Sequence, residues 1–96
     1  MTEFQTESSS KLASAPLKII TVQYFALLRE ARGCSQETIE TNADTPLALY
    51  QFLQEQHHFL LMPEQLRVAI NENFVDWETQ LQSHDRVVFI PPVAGG

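Results

Sequence analysis

The sequence predicts an α+β domain in which one main helix lies across a mixed β-sheet. The first observation behind this prediction is that five short segments have the apolar and β-branched residues of strands, while one longer segment has the pattern of a helix. The second is the order of these segments, which is strand, strand, helix, strand, short strand, strand. This order alone is compatible with several α+β folds.

Length and composition limit what the domain can do. Ninety-six residues provide for one hydrophobic core. The formal charge of −6, with only six Lys plus Arg, argues against nucleic-acid binding and favours a basic pocket on a protein partner. The single cysteine, Cys34, excludes an internal disulfide. Because no apolar run is long enough to span a membrane and no secretion leader is recognisable, we expect a cytoplasmic protein that does not associate with membranes.

The N-terminal part of the chain divides into a tail and the first strand. Residues 1–16 are rich in Ser, Thr, Glu and Gln, so we expect a disordered tail, followed by a folded domain over residues 17–96. Residues 17–25 alternate as a strand does. The alternation places three apolar residues on one face, Ile20, Val22 and Tyr24. This strand is expected to lie centrally in the sheet.

A short helix and an edge strand are predicted next. Residues 26–32 are good helix formers for one or two turns, and Gly33 stands where a left-handed C-cap would end them. Residues 35–41 have strand-type side chains but only Ile39 to bury, which indicates an edge strand. We expect two acidic residues to protect that edge, Glu37 and Glu40.

The main helix is predicted to begin at Thr45 and Pro46, since Thr is a good N-cap and Pro is tolerated at the first helical position. It is expected to end near His57. Its apolar stripe consists of Leu47, Leu49, Tyr50, Phe52 and Leu53, and its polar side includes Gln51, Gln54 and Glu55. Residues 59–62 precede Pro63, so we expect them to fold over the core as a loop.

Three further strands complete the predicted sheet. Residues 66–70 alternate as a strand, and residues 71–73 form a turn into a short strand at 74–75, because Asn tolerates positive φ. A turn at residues 83–85 leads into the last strand at 86–90. That strand is rich in β-branched and aromatic side chains.

Residues 91–96 are predicted to form an extended, flexible C-terminal arm. Pro91 and Pro92 end strand pairing and favour a polyproline path, whereas Gly95 and Gly96 have no side chains and can enter a narrow channel. The candidate reactive group is the α-carboxylate of Gly96, an anion at neutral pH. Because an anionic carboxylate is a poor electrophile, it would need activation, most simply adenylation with ATP by a partner enzyme.

Other chemistry is not indicated. Gly33 is the only glycine before residue 95, so glycine-rich phosphate loops are excluded and ATP must bind elsewhere. His57 and His58 are adjacent and cannot both face one metal, so we expect no metal site and no cofactor bound by this chain. Cys34 is interpreted as an exposed loop thiol. Trp77 could anchor an interface or cap the edge of the core.

Two motifs resemble one known family. Residues 89–96 read Phe-Ile-Pro-Pro-Val-Ala-Gly-Gly and resemble the end of the MoaD-type sulfur carriers, the small subunits of molybdopterin synthase, which typically reads Phe-Phe-Pro-Pro-Val-(Ser/Thr/Ala)-Gly-Gly. Residues 24–30, Tyr-Phe-Ala-Leu-Leu-Arg-Glu, resemble the first strand and turn of that family. The resemblance covers residues 17–96. It implies the ubiquitin-like β-grasp version of the predicted fold.

The resemblance also implies a function, a sulfur carrier of molybdenum-cofactor biosynthesis that is not catalytic alone. An adenylating enzyme that uses ATP would activate Gly96, and a sulfur donor would convert it to a thiocarboxylate. The large subunit of molybdopterin synthase would then take up the arm, and the sulfur would pass to cyclic pyranopterin monophosphate. The resemblance further implies a heterotetramer of two small and two large subunits. Residues expected to contact partners are Arg29, Phe89, Pro91, Pro92, Val93, Ala94 and Gly95.

Three alternatives remain at this level. A sulfur carrier could instead serve thiamine synthesis or tRNA thiolation, since those relatives also end in Gly-Gly. A ubiquitin-like modifier would use Gly96 to form isopeptide bonds with lysines. A purely structural binding module would not need a reactive terminus. Arg29 and Glu30 could form a surface ion pair or take part in docking.

Overall fold

A computed structural model of the protein describes residues 17–91. The predicted N-terminal tail, residues 1–16, and the arm residues 92–96 lie outside the described residues. The elements in chain order are β1 (Lys18–Tyr24), α1 (Ala26–Arg32), β2 (Gln36–Thr41), α2 (Pro46–His57), a 3₁₀ turn (Pro63–Gln65), β3 (Arg67–Ile70), β4 (Asn73–Val75) and β5 (Arg86–Ile90). This is the order of elements that the sequence predicts.

The five strands form one mixed sheet in the order β2-β1-β5-β3-β4. The first and last strands, β1 and β5, run parallel, and the other neighbours are antiparallel. The expected interior position of β1 and edge position of β2 are both confirmed. A parallel pair needs a long connection, and here it is the whole intervening chain, including α2.

One face of the sheet carries the core. Ile20, Val22 and Tyr24 of β1 are fully buried there, as the alternation of that strand predicts. The side chains that meet them from α2 are Leu49, Tyr50 and Leu53, and those from β5 are Val87 and Phe89. Sheet and helix therefore bury one continuous apolar layer between them, which stabilises the domain through the hydrophobic effect.

An aromatic cluster lies at the centre of this layer. The Tyr50 ring centroid is 5.1 Å from that of Phe89 and 5.9 Å from that of Phe59. Trp77 stacks on Phe89 at 5.8 Å and is partly buried. Of the two roles open for Trp77, the structure therefore supports capping of the core edge.

The main helix begins as predicted, and its apolar stripe is narrower than predicted. The Thr45 hydroxyl accepts a hydrogen bond from the Ala48 N–H at 3.2 Å, and Pro46 occupies the first turn. The helix ends at His57, followed by His58 in the left-handed region at φ 58°. Phe52, however, is 46% exposed. Phe52 lies on the flank of the helix that the sheet does not reach, so the prediction that it joins the stripe is wrong.

The loop after α2 is only partly folded over the core. Phe59 is buried, whereas Leu60 is 92% exposed, which corrects the expectation that the whole apolar run covers the core. The loop is anchored at the Leu61 carbonyl, which accepts hydrogen bonds from the Tyr50 hydroxyl at 2.7 Å and the Gln54 amide at 3.1 Å. Burial raises the pKa of Tyr50 to about 12, so this donor keeps its proton at neutral pH.

The predicted turns are confirmed. Gly33 ends α1 at φ +87°, and its N–H donates to the Arg29 carbonyl at 2.9 Å. Asn71 and Glu72 both have positive φ, 52° and 75°, the pattern of a two-residue hairpin turn between β3 and β4. His84, in the turn before β5, has φ 76°.

Candidate functional site

The base of the C-terminal arm lies at a defined end of the sheet. In the parallel pairing of β1 with β5, Tyr24 stands opposite Phe89, so both strands finish at the same end. Helix α1 begins there, directly after β1, and the buried residue Pro91 follows β5. Arg29, an exposed residue of α1, is therefore carried at the end of the domain from which the arm departs.

The alternation of β5 decides which side chains near the arm face outward. Val87 and Phe89 are fully buried, whereas Val88 and Ile90 are partly exposed on the opposite face. The side chain of Phe89 is therefore fully buried in the chain by itself, and its expected contact with a partner stays a prediction. The outward-facing residue beside the arm is Ile90. Pro92, Val93, Ala94, Gly95 and Gly96 lie outside the described residues.

The outer face of the sheet presents apolar and cationic side chains next to this end. Arg67 of β3 is paired directly with Ile90, and Ala69 with Val88. Phe74 of β4 is 61% exposed, and the guanidinium carbon of Arg67 lies 4.2 Å from the centroid of its ring. This geometry is that of a cation–π contact. An exposed aromatic ring of this kind is a common feature of protein-binding surfaces.

A groove of about 460 Å³ runs along this part of the outer face. Its lining residues come from the 3₁₀ turn, β3, β4 and the end of β5, and are Glu64, Gln65, Leu66, Arg67, Phe74, Ile90 and Pro91. The groove therefore begins where the arm begins. Sequence analysis missed Arg67, Phe74 and Ile90, because only the strand register brings them together. The usable signal was the alternation within residues 66–70.

A polar cluster at the C-terminal end of α1 has a structural role. Glu37 accepts two hydrogen bonds from Arg32, at 2.6 and 2.9 Å, and one from the Tyr24 hydroxyl at 2.6 Å. The Arg32 hydrogen bonds lower the pKa of Glu37, and the same contact raises the pKa of Arg32. Burial is the main reason that the pKa of Tyr24 is raised. Glu37 therefore faces inward, which corrects its predicted role as a guard of the sheet edge.

The remaining candidate residues do not form a common site within the described part of the chain. Within residues 17–91, no three His, Cys, Asp or Glu side chains are grouped as a metal site. Cys34 is partly buried and packs against the core, which corrects the expectation of an exposed thiol. Burial lowers the pKa of His57, whose ring lies 5.6 Å from that of Phe59. Arg29 and Glu30 are not among the ion pairs of the described residues, which are Lys18–Asp44 and Arg32–Glu37.

None of the helices in residues 17–91 combines the length and the apolar character that crossing a membrane requires.

Comparison with known proteins gives a consistent family. The model of the ThiS family matches residues 22–96. A protein of Escherichia coli (strain K12), named molybdopterin synthase sulfur carrier subunit, is 32% identical over 81 residues, which are 81% of this chain and all of that protein. A human protein of the same name is 31% identical and is covered over 98% of its length, with 84% of this chain aligned.

Solved structures share the fold. The crystal structure of SAMP1 from Haloferax volcanii superposes with a TM-score of 0.69 at 20% identity, over 81% of this chain and 99% of that one. A structure described as the complex of subunits 1 and 2 of the molybdopterin-converting factor from Helicobacter pylori matches with a TM-score of 0.57 at 25% identity, over 81% and 99% of the two chains. These matches confirm the ubiquitin-like version of the predicted fold.

Proposed function

The chain belongs to the ThiS family, and from that premise we propose that it is a sulfur carrier of molybdenum-cofactor biosynthesis. The observation that carries the proposal is that the family match extends to residue 96 and therefore includes the terminal Gly-Gly. The 32% identity to a molybdopterin synthase sulfur carrier subunit supports this pathway among those served by such carriers.

The reactive group in this proposal is the Gly96 carboxylate. An adenylating enzyme binds ATP, and a carboxylate oxygen attacks the α-phosphate, so that pyrophosphate leaves and an acyl-adenylate forms. A sulfide-level sulfur atom from the donor then attacks the carbonyl carbon, and AMP leaves with the bonding electron pair. The product is a thiocarboxylate, which carries one transferable sulfur. The ATP site belongs to the activating enzyme, so this chain needs only to present its terminus.

The second half of the cycle takes place on the large subunit. We propose that the arm, residues 91–96, enters the active site of that subunit, where the thiocarboxylate sulfur bonds to cyclic pyranopterin monophosphate. Water then hydrolyses the bond between this sulfur and the Gly96 carbonyl carbon, which leaves the sulfur on the substrate and restores the Gly96 carboxylate. Pro91 is buried at the base of the arm and fixes the direction in which it leaves the sheet. Pro92, Val93 and Ala94 supply apolar contacts along the channel, and Gly95 fits its narrow end. Tethering the sulfur to a folded domain supplies it at a high effective concentration. The assembly is proposed to be a heterotetramer of two small and two large subunits.

Mass spectrometry of the intact protein tests the first half. After incubation with its adenylating enzyme, ATP and a sulfur donor, the protein should gain the mass expected for replacement of one oxygen by sulfur. A variant with one alanine added after Gly96 is the matched control, because its carboxylate lies about 3.5 Å further along the chain. That variant should remain folded and lose sulfur transfer. An unchanged wild-type mass in a system that activates another carrier would refute the proposal.

The fold is shared with other users of a C-terminal glycine, so the test must separate them. The likeness to SAMP1, at 20% identity, concerns the fold alone. A protein modifier would give high-mass conjugates on denaturing gels that disappear when Gly96 is deleted. A carrier for thiamine or tRNA would restore growth to strains that lack those pathways, and fail to restore strains that lack molybdopterin synthase. Our proposal predicts the reverse.

A further inference from the structure

Arg67 and Phe74 form a composite surface patch beside the arm. Both residues are exposed, and the Arg67 guanidinium carbon lies 4.2 Å from the centre of the Phe74 ring. The register of the sheet positions this patch, since Arg67 is paired with Ile90 and Phe74 with Ala69. Arg67 is therefore one strand away from the last residue before Pro91. The patch belongs to the sheet and lies next to the point at which the arm begins.

The guanidinium of Arg67 has no carboxylate partner among the residues that the structure describes. The ion pairs among residues 17–91 are Lys18–Asp44 and Arg32–Glu37, so no described carboxylate lies within 4 Å of the Arg67 nitrogens. Glu64 and Asp76 each line a groove that Arg67 also lines. Both carboxylates are more than 4 Å from the Arg67 nitrogens. A guanidinium held over a ring can still direct N–H groups away from that ring, where they can bind a carboxylate with two hydrogen bonds.

We infer that Arg67, held over Phe74, pairs with a carboxylate on the protein surface that receives the C-terminal arm. This inference rests on the proposed function, and it adds a specific chemistry to the partner. The expected partner surface has an acidic side chain bordered by apolar atoms, which cover Phe74 and Ile90 while the carboxylate meets Arg67. The stacking contact restricts the arginine before binding, so less side-chain entropy is lost in the complex.

The charge of the whole chain explains why this contact would determine orientation. A net charge of −6 favours a partner whose surface is mainly basic. A carboxylate on such a surface can pair with few cationic side chains of this acidic chain, and Arg67 is one of them. Reversed or shifted docking would place this carboxylate against Glu64 or Asp76, where like charges repel. The pair would therefore select the orientation that directs the arm into the active site.

Binding measurements with matched variants test this inference. Full-length protein would be titrated into the purified cognate large subunit of molybdopterin synthase by calorimetry at low and physiological salt. Arg67→Glu should weaken binding by about tenfold or more, because a pair becomes a repulsion. Arg86→Glu is the control, since Arg86 is exposed at the other end of β5 and undergoes the same charge change. It should change the dissociation constant by less than about twofold.

Additional variants keep the test decisive. Arg67→Gln removes the charge without reversing it, and should weaken binding even if Arg67→Glu perturbs the sheet. Phe74→Leu keeps an apolar side chain and removes the ring, so it should give an intermediate loss. Circular dichroism and thermal unfolding check that each variant is folded.

The results separate this inference from the proposed function. Equal effects of Arg67→Glu and Arg86→Glu, or tighter binding of Arg67→Glu, would overturn the inference while leaving the carrier role intact. If wild-type protein fails to bind the large subunit, or if deletion of Gly95 and Gly96 leaves molybdopterin formation unchanged, the proposed function fails and this inference fails with it. A selective loss at Arg67 that is partly relieved by high salt supports the pairing.

Discussion

The guanidinium of Arg32 and the carboxylate of Glu37 are joined by two hydrogen bonds, from Nη2 at 2.6 Å and from Nε at 2.9 Å. The Tyr24 hydroxyl donates a third hydrogen bond to the same carboxylate. This arrangement connects the end of α1, the edge strand β2 and the interior strand β1. It also satisfies the polar end of a tyrosine whose ring lies in the core, which is important because an unpaired buried hydroxyl is destabilising.

Glu37→Gln should therefore destabilise the protein in a pH-dependent way. The Arg32 contact lowers the pKa of Glu37 below its ordinary value of 4.5. The charged form thus stabilises the fold above pH 4.5, and this stabilisation is lost as the pH falls through the lower folded-state pKa. At pH 7 we expect a loss of about 1–2 kcal/mol, measured by urea unfolding, and a smaller difference at pH 3. Glu40→Gln is the control on the same strand. A difference from wild type that does not change with pH would contradict the mechanism.

Neighbouring residues of β5 should separate stability from partner binding. Phe89 is fully buried among Tyr50 and Trp77, so Phe89→Ala should lower the free energy of unfolding by about 3–5 kcal/mol. Ile90 is only partly buried on the outer face, so Ile90→Ala should lower it by less than about 1.5 kcal/mol. Ile90→Ala should instead weaken binding to the large subunit. Chemical denaturation and calorimetry measure the two effects. Similar stability losses in both variants would contradict the assigned faces.

The β3–β4 turn offers a stabilising substitution. Glu72 has φ 75°, which is unfavourable for a residue with a Cβ atom, and it follows Asn71 at φ 52°. Glu72→Gly creates the Asn-Gly pair preferred in such hairpin turns and should raise the free energy of unfolding by about 0.5 kcal/mol. Glu72→Ala removes the same charge but keeps the Cβ atom, and should give no comparable gain. Thermal unfolding of the two variants provides the test, and an equal gain in both would assign the effect to charge.

Substitution of Gly33 should lower the free energy of unfolding through the backbone conformation alone. Its φ is +87°, and a Cβ atom at this position would meet no neighbour within 4 Å. Gly33→Ala should therefore cost about 1 kcal/mol through the left-handed conformation and not through a clash. Gly33→Asn should cost less, because Asn adopts this region more readily. Thermal unfolding distinguishes the two, and an equally large loss in both would indicate a steric cause.

Much of the fold could be predicted because several signals act locally. The alternation of Ile20, Val22 and Tyr24 predicts the buried face of β1 without knowledge of its neighbours. Thr45 and Pro46 predict the start of α2 through the requirements of a helix N-terminus. Each of these signals depends on a few adjacent residues, and the structure confirms them.

The errors concern residues whose environment depends on distant parts of the chain. All four residues from Val87 to Ile90 are apolar, so alternation could not reveal that Phe89 faces the core and Ile90 the outer face. Glu37 resembles an exposed edge residue until the pairing of Val22 with Glu37 brings it near Tyr24 and Arg32. Sequence spacing contains no record of such a contact.

The sequence by itself determined the elements of this domain, its caps and turns, and the terminal glycine that the proposed chemistry uses, because these follow from local backbone preferences and from the residues present. Only the tertiary structure decided which apolar side chains near the arm are available to a partner, and that Arg67 stands beside Ile90 and over Phe74. The physical reason is that these relations arise from the register between strands far apart in the chain, and that register is set by the burial of the whole core.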